Sequence, residues 1–225
     1  MKYTLLLKLG QDNLRWVISN TYIQLINLYN VDSISLEYFC KLRDSGIDVL
    51  DSRPTSQFSE RYVPGSIGVS INGSFEYMIN LFFPDKNKLI LISQDERLSE
   101  SLLRLEKEGF LEVSYFDINL WISAEMECLQ TSRVKASNAS NFLGKMVDVS
   151  NSEDWEVLHV KGVSNVPLVD LINSPEKIDS GSVLYCGNGH KSMAAVSFLS
   201  KKDIVTTDIT GGLSAMLVDS PDLEI

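Results

Sequence analysis

Cys186 stands between an apolar run, Val183-Leu184-Tyr185, and a run with helical periodicity from Ser192 to Ser200, in the string Tyr185-Cys186-Gly187-Asn188-Gly189-His190-Lys191-Ser192. In an open α/β sheet, ligands bind beyond the carboxyl ends of strands, and a loop leading into a helix turns several backbone N–H groups toward one point. Those amides and the helix dipole favour negative charge at Cys186, and so the thiolate, which is the reactive form of cysteine. Gly187 and Gly189 permit a tight, partly left-handed backbone, and Lys191 adds a full positive charge. The expected chemistry is nucleophilic attack by a thiolate inside an anion cradle. A nucleotide P-loop is excluded, because that motif needs glycine directly before the lysine and another five residues earlier. His190 and Tyr185 occupy those places.

The remaining candidates read as structural, except Cys128, which is ambiguous between a structural and a regulatory role. Cys40 falls in the apolar helical pattern Leu36, Phe39, Cys40, Leu42, and Cys128 lies near a polar stretch from Thr131 to Asn141. Three widely spaced cysteines without a C-x-x-C pair indicate neither a disulfide framework nor a zinc site. The two histidines, His159 and His190, are too few for a multi-histidine metal centre. Asp154, Glu156 and Glu176 read as solvated surface.

The elements that must position Cys186 emerge when the chain is compared with itself. Ile47 to Asp51 and Lys145 to Val149 are short apolar strands with an aspartate near the end, and Asp51 and Asp148 stand 97 residues apart. The same offset separates Gly65, in Tyr62-Val63-Pro64-Gly65-Ser66, from Gly162, in His159-Val160-Lys161-Gly162-Val163. Two further strands follow, Leu89 to Ile92 and Val183 to Tyr185, each leading into a helical pattern, Ser99 to Glu108 and Ser192 to Ser200. Ser93 and Cys186 come directly after these strands and are 93 apart, so the first copy carries about four extra residues, placed around Asn72 to Asn87. The alternation of strands and helices predicts an α/β fold with mainly parallel sheets flanked by helices. One unit is expected over 33–125 and another over 143–225, with a linker at 126–142 and an N-terminal extension at 1–32. The extension carries apolar residues such as Trp16, Val17, Ile18, Ile23 and Leu25, and is expected to pack.

Composition narrows the partners. At 225 residues the chain exceeds the usual domain of ~100 to 150 residues. With 44 % hydrophobic and 22 % charged residues it can form real cores. A formal charge of -10 without a Lys/Arg cluster argues against nucleic acid and anionic membrane surfaces. The apolar run after Met1 is broken by Lys8, too early for a signal peptide, and no stretch approaches the ~20 apolar residues of a membrane span. The expected location is the cytoplasm.

At the Cys186 loop and around it the sequence resembles the rhodanese family. The family loop is C-x-x-G-x-R followed by a small hydroxyl residue, and Cys186, Gly189, Lys191 and Ser192 stand at those positions, with lysine in place of arginine. The lysine keeps the charge and loses the bidentate fork. Asp148-Val149, the segment Leu158 to Pro167, and Gly211-Gly212 are similar to other family marks, whereas Ser150 stands where the family usually has arginine. The first repeat resembles the family in Asp51-Ser52-Arg53 and Val63-Pro64-Gly65-Ser66, but its loop reads Ser93-Gln94-Asp95-Glu96-Arg97-Leu98, with no cysteine and no glycine. An inactive first domain followed by an active second one is the usual tandem arrangement. Pro64-Gly65-Ser66-Ile67, Asn72-Gly73-Ser74-Phe75 and Pro84-Asp85 also look like the rhodanese portion of bacterial fusions with a metallo-β-lactamase-fold persulfide dioxygenase.

The resemblance implies sulfur transfer through a persulfide on Cys186. The donor would be a small sulfur-containing anion such as thiosulfate or a low-molecular-weight persulfide, and the acceptor a thiol or cyanide. Gly187, Asn188, Gly189, His190, Lys191 and Ser192 would bind the donor, and Asp148 and His159 would support the loop, Asp148 by orienting Lys191 or the loop backbone. No metal or organic cofactor is implied, and any persulfide dioxygenase activity would belong to a separate partner. A non-enzymatic interaction or sulfur-carrier module is the alternative. A phosphatase or arsenate reductase is disfavoured, because such relatives carry a loop one residue longer.

Overall fold

A computed structural model describes residues 32–225. The expected extension, residues 1–32, falls almost wholly outside the described residues. Residues 33–225 form one compact unit.

Two wholly parallel sheets organise this unit. The first contains β1 (Asp48–Asp51), β2 (Ile67–Gly68), β3 (Leu89–Ile92) and β4 (Val113–Tyr115) in the order β2-β1-β3-β4. The second contains β5 (Ser132–Lys135), β6 (Met146–Asp148), β7 (Ser164–Asn165), β8 (Val183–Tyr185) and β9 (Thr207–Thr210) in the order β5-β9-β8-β6-β7. Removing β5 leaves the same order in both halves. Central strands of parallel sheets are covered on both faces, which is why β3 and β8 are continuous apolar runs with every residue buried.

The helices of the first half are α1 (Leu36–Asp44), α2 (Thr55–Glu60), α3 (Phe75–Phe82), α4 (Asp95–Lys107) and α5 (Ile118–Ser123). Those of the second half are α6 (Ser152–Val157), α7 (Leu168–Asn173), α8 (His190–Ser200) and α9 (Gly212–Asp219). Ser35 caps α1, its hydroxyl accepting from the Tyr38 N–H at 3.2 Å, which satisfies one orphan donor of the first turn. In the segment where the extra residues of the first copy were placed lies α3, whose Phe75, Met78, Ile79 and Phe82 are buried; α7 holds the same place between β7 and β8 in the second half.

The repeat register is visible in the backbone. Gly65 and Gly162 have φ of +84° and +80°, so both turns need the left-handed conformation that glycine adopts without steric cost. The stretch read as a linker holds more structure than its polar composition suggested. Residues 132–135 are edge strand β5, paired with β9 from Ser132↔Thr207 to Lys135↔Thr210, and 136–145 form a 3₁₀ helix. An edge strand needs only one paired side and one covered face, so it lacks the apolar run that marks β8.

Helix α8 explains how the halves join. Its residues Ser192 to Ser197 are all buried, the pattern of a helix enclosed on every side. Ser197 Oγ accepts from the Gly68 N–H of β2 at 3.0 Å, and Tyr62 and Ser200 pair their hydroxyls at 3.3 Å. Met193 packs with Phe58 and Tyr62, and Phe198 lies 5.6 Å from Phe82 between ring centroids. Lys201 Nζ donates to Asp48 at 2.7 Å. The helix that follows Cys186 is therefore also a packing element of the first half.

Candidate active site around Cys186

Cys186 directly follows β8, and α8 starts four residues later. Gly189, at φ +84°, turns the chain into the helix. Two backbone donors converge on the sulfur: the Gly189 N–H at 3.2 Å and the Ser192 N–H at 3.4 Å. The expected cradle is present. Amides fixed in position stabilise charge on sulfur without reorganising when it appears. Cys186 itself is only 1 % exposed, while Gly187 and Asn188 are exposed above it.

The loop is held from behind by Gly211 and Gly212. The Leu213 N–H donates to the Cys186 carbonyl at 2.8 Å and the Ser214 N–H to the Gly187 carbonyl at 2.9 Å. These donors come from the first turn of α9, where helix N–H groups lack internal partners. A β-carbon on Gly212 would come within 2.1 Å of the Cys186 carbonyl oxygen, so only glycine permits this approach.

His190 and Asn188 are hydrogen-bonded to each other. His190 Nδ1 donates to Asn188 Oδ1 at 3.0 Å, and burial lowers the histidine pKa, favouring the neutral ring. Lys191 Nζ lies 3.4 Å from Asp154 Oδ2 and 5.6 Å from the centroid of Tyr77, which comes from α3 of the first half. Tyr77 in turn donates to Asn151 Oδ1 at 3.4 Å. Asp154, read as ordinary surface, is the partner that the sequence assigned to Asp148.

Asp148 has a different role. Its carboxylate accepts the Ser150 N–H at 2.7 Å and is also hydrogen-bonded by the Tyr185 hydroxyl. Burial raises its pKa, and these bonds oppose the rise. In the first half the equivalent Asp51 instead binds Arg53, with Nη2 to Oδ2 at 2.6 Å. Where the second half lacks that arginine, Tyr185 and Ser150 supply the missing donors. Among the described contacts Asp148 does not reach Lys191, so its part is to anchor the strand ahead of Cys186. His159 stacks on Trp155 at 4.0 Å between centroids and donates from Nδ1 to the Trp155 carbonyl at 2.8 Å. It braces the turn.

Two residues of the site were missed in the sequence. Ser192 Oγ donates to Asp208 Oδ1 at 2.6 Å, and Arg133 Nε donates to Asp208 Oδ2 at 2.9 Å. Asp208 is fully buried, and burial pushes its pKa up to about 6 against the opposing pull of Ser192 and Arg133. A lone aspartate inside an otherwise uncharged strand, Thr207-Asp208-Ile209-Thr210, was the available signal. The partner Arg133 lay in the supposed linker.

The first half has no comparable site. Ser93 replaces the cysteine, its hydroxyl pairing with Ser101 at 3.2 Å, and α4 begins two residues later at Asp95. Asp95 accepts from the Tyr115 hydroxyl at 2.8 Å. Cys40 and Cys128 pack against the core cluster of Phe39, Leu42 and Trp121.

Among the described residues no helix is long and apolar enough to cross a membrane. No curated protein matches the chain. Among solved structures, a thiosulfate sulfurtransferase from Pseudomonas aeruginosa is similar, at 14 % identity and a TM-score of 0.35 over 79 % of this chain and 40 % of that one. A Bacillus anthracis CoADR-RHD protein is 18 % identical with a TM-score of 0.39, over 42 % of this chain and 18 % of that one. A rhodanese-related protein from Thermoplasma volcanium is 19 % identical with a TM-score of 0.37, over 40 % of this chain and 93 % of that one. The present chain thus covers less than half the length of the first two proteins. Residues 132–217 match the family model for the Rhodanese-like domain. The part of the chain that carries Cys186, with β5, the cradle and Asp208, is the part similar to the Rhodanese-like domain.

Proposed function

We propose that the chain is a sulfurtransferase that carries sulfane sulfur as a persulfide on Cys186. The observation that carries this reading is the convergence of the Gly189 and Ser192 N–H groups on Cys186 Sγ, at 3.2 and 3.4 Å, inside a rhodanese-like domain. In the first half-reaction the thiolate attacks the outer sulfur of thiosulfate. The new S–S bond forms as the old one breaks, and sulfite leaves with the bonding electron pair. In the second, cyanide or a thiolate attacks the terminal persulfide sulfur and the Cys186 thiolate is released. The loop amides stabilise both anions of Cys186, and Lys191 supplies positive charge at the rim. The first half is a copy with Ser93 in place of the loop cysteine, which packs on α8 and adds Tyr77 beside Lys191.

The pairing of Lys191 with Asp154 favours one second reading, a sulfur carrier that receives and donates sulfur between proteins without fast turnover on small anions. Assay of thiosulfate-to-cyanide transfer separates the two. Turnover by the native chain and none by Cys186→Ser, with the fold retained, supports the enzyme. Stoichiometric loading of Cys186 without turnover supports the carrier, and equal rates for native chain and variant overturn both.

A further inference from the structure

Among the described residues, Asp208 is the one buried carboxylate within hydrogen-bonding reach of a group that itself touches Cys186. The Cys186 thiol points toward Ser192 Oγ at 3.7 Å, and the Ser192 hydroxyl points toward Asp208 Oδ1 at 2.6 Å. All three residues are at most 1 % exposed. The donors run in one direction, from sulfur to hydroxyl to carboxylate. Arg133 holds the far oxygen of Asp208 from β5, with Nη2 at 2.8 Å, and itself reaches Ser59 of α2 at 3.4 Å.

We propose that Cys186, Ser192 and Asp208 form one proton-sharing unit, in which Asp208 takes the thiol proton through Ser192 when Cys186 becomes a thiolate. The inference rests on the reading of Cys186 as the nucleophile and adds Asp208 and Ser192 as positioning residues. The S–H bond breaks as its proton passes to Ser192 Oγ, while the serine's own proton passes to Asp208 Oδ1. The products are a thiolate, a neutral serine and a neutral carboxylic acid.

The physical reason is charge conservation in a buried place. Losing the thiol proton to solvent would leave two anions close together in low dielectric, which both groups resist. Keeping the proton inside moves a single negative charge from Asp208 to the cradle, where two N–H donors already converge. Asp208 suits the acceptor role because burial raises its affinity for a proton to near the neutral range. The charged group that faces it is Arg133, and β8 presents the apolar Leu184 alongside. On the Cys186 side, Lys191 is turned to Asp154 and His190 to Asn188.

Two groups that share a proton titrate as a pair, with two macroscopic steps. The experiment is the pH profile of Cys186 alkylation by iodoacetamide, followed by peptide mapping on the full chain. It needs no sulfur donor, so it reports on the proton-sharing unit even if sulfur transfer fails. The native chain is expected to show a first rise with its midpoint near the Asp208 pKa of about 6, then a plateau and a second rise at higher pH. Asp208→Asn should merge these into one step at lower pH than the native second rise, because the opposing charge is gone. Ser192→Ala should keep two steps and move the first upward, since the hydroxyl no longer stabilises the carboxylate. A single step in the native chain, two unchanged steps in Asp208→Asn, or no alkylation of Cys186 at any pH would overturn the proposal. If Asp208→Asn fails to fold by circular dichroism, the native profile and Ser192→Ala decide alone.

Discussion

His190, in the loop after Cys186, lies directly against Gly73 of the first half: a β-carbon on Gly73 would come within 2.8 Å of the His190 Cβ and Cγ. The contact is to the root of the side chain, so a rotamer change cannot relieve it. Gly73→Ala should therefore displace the Cys186 loop or the segment from Ser70 to Ser74, at a cost of ~1 to 3 kcal/mol typical of overpacking. Urea unfolding together with the Cys186 alkylation rate checks this. A variant unchanged in both would mean the halves are not in close register at the site.

The second prediction concerns which sulfur is loaded. Brief exposure to a sulfane donor should add about 32 Da, one sulfur atom, to Cys186 as a reversible modification. Cys40 and Cys128 should remain unmodified, because both pack against the core of Phe39, Leu42 and Trp121 and no pair of backbone N–H groups converges on them among the described contacts. Peptide mapping under non-reducing conditions measures it, with Cys186→Ser as control. Sulfur appearing first on Cys128 would point to a relay through the segment joining the sheets.

Lys191 offers a third test, because its charge is shared between the loop rim, Asp154 and Tyr77. Lys191→Ala should lower kcat for thiosulfate by roughly 100-fold if the cation stabilises developing charge, the effect of removing one well-placed donor. Lys191→Arg should retain activity. Asp154→Ala should raise the rate, since it releases the lysine toward the loop. Unchanged steady-state kinetics in Lys191→Ala would show that the backbone amides suffice.

The fourth prediction is a pH dependence of stability. The folded pKa of Asp208, about 6, lies above its ordinary value of 3.8 because burial disfavours the carboxylate. The folded state therefore holds a proton that the unfolded state releases. The stability from this group is fully present below 3.8 and is lost as pH rises through about 6, a change of about 3 kcal/mol at 1.36 kcal/mol per unit. Asp148 and Asp51 shift in the same direction, so the comparison that isolates Asp208 is native chain against Asp208→Asn. The native chain should lose stability between pH 4 and 6 relative to the variant. Parallel curves would show that Asp208 stays ionised on folding.

Much of the site was legible because it is local in the chain. An apolar strand, a cysteine, Gly189 and a helix within a few residues point to a turn of amides around Cys186; of the two loop glycines only Gly189 adopts the left-handed backbone that favours glycine. The repeat was legible for the same reason. Gly65 and Gly162 mark left-handed turns at equal offsets, and the runs Leu89 to Ile92 and Val183 to Tyr185 are apolar because both faces of a central parallel strand are covered.

Sequence alone thus determined the α/β alternation, the loop that turns backbone N–H groups onto Cys186, and the serine in the equivalent loop of the first half. Tertiary structure decided the partners. Asp208 reaches Ser192 because β9 lies beside β8, and Arg133 reaches Asp208 because β5 adds to the sheet edge at the register Arg133↔Asp208. Lys191 meets Asp154 and Tyr77, and Asp148 meets Tyr185, because helices and strands distant in the chain are packed together there. No spacing encodes such contacts: hydrogen-bond partners of a buried charge are chosen by strand order and by which half-covered surfaces must pack to remove apolar area from water.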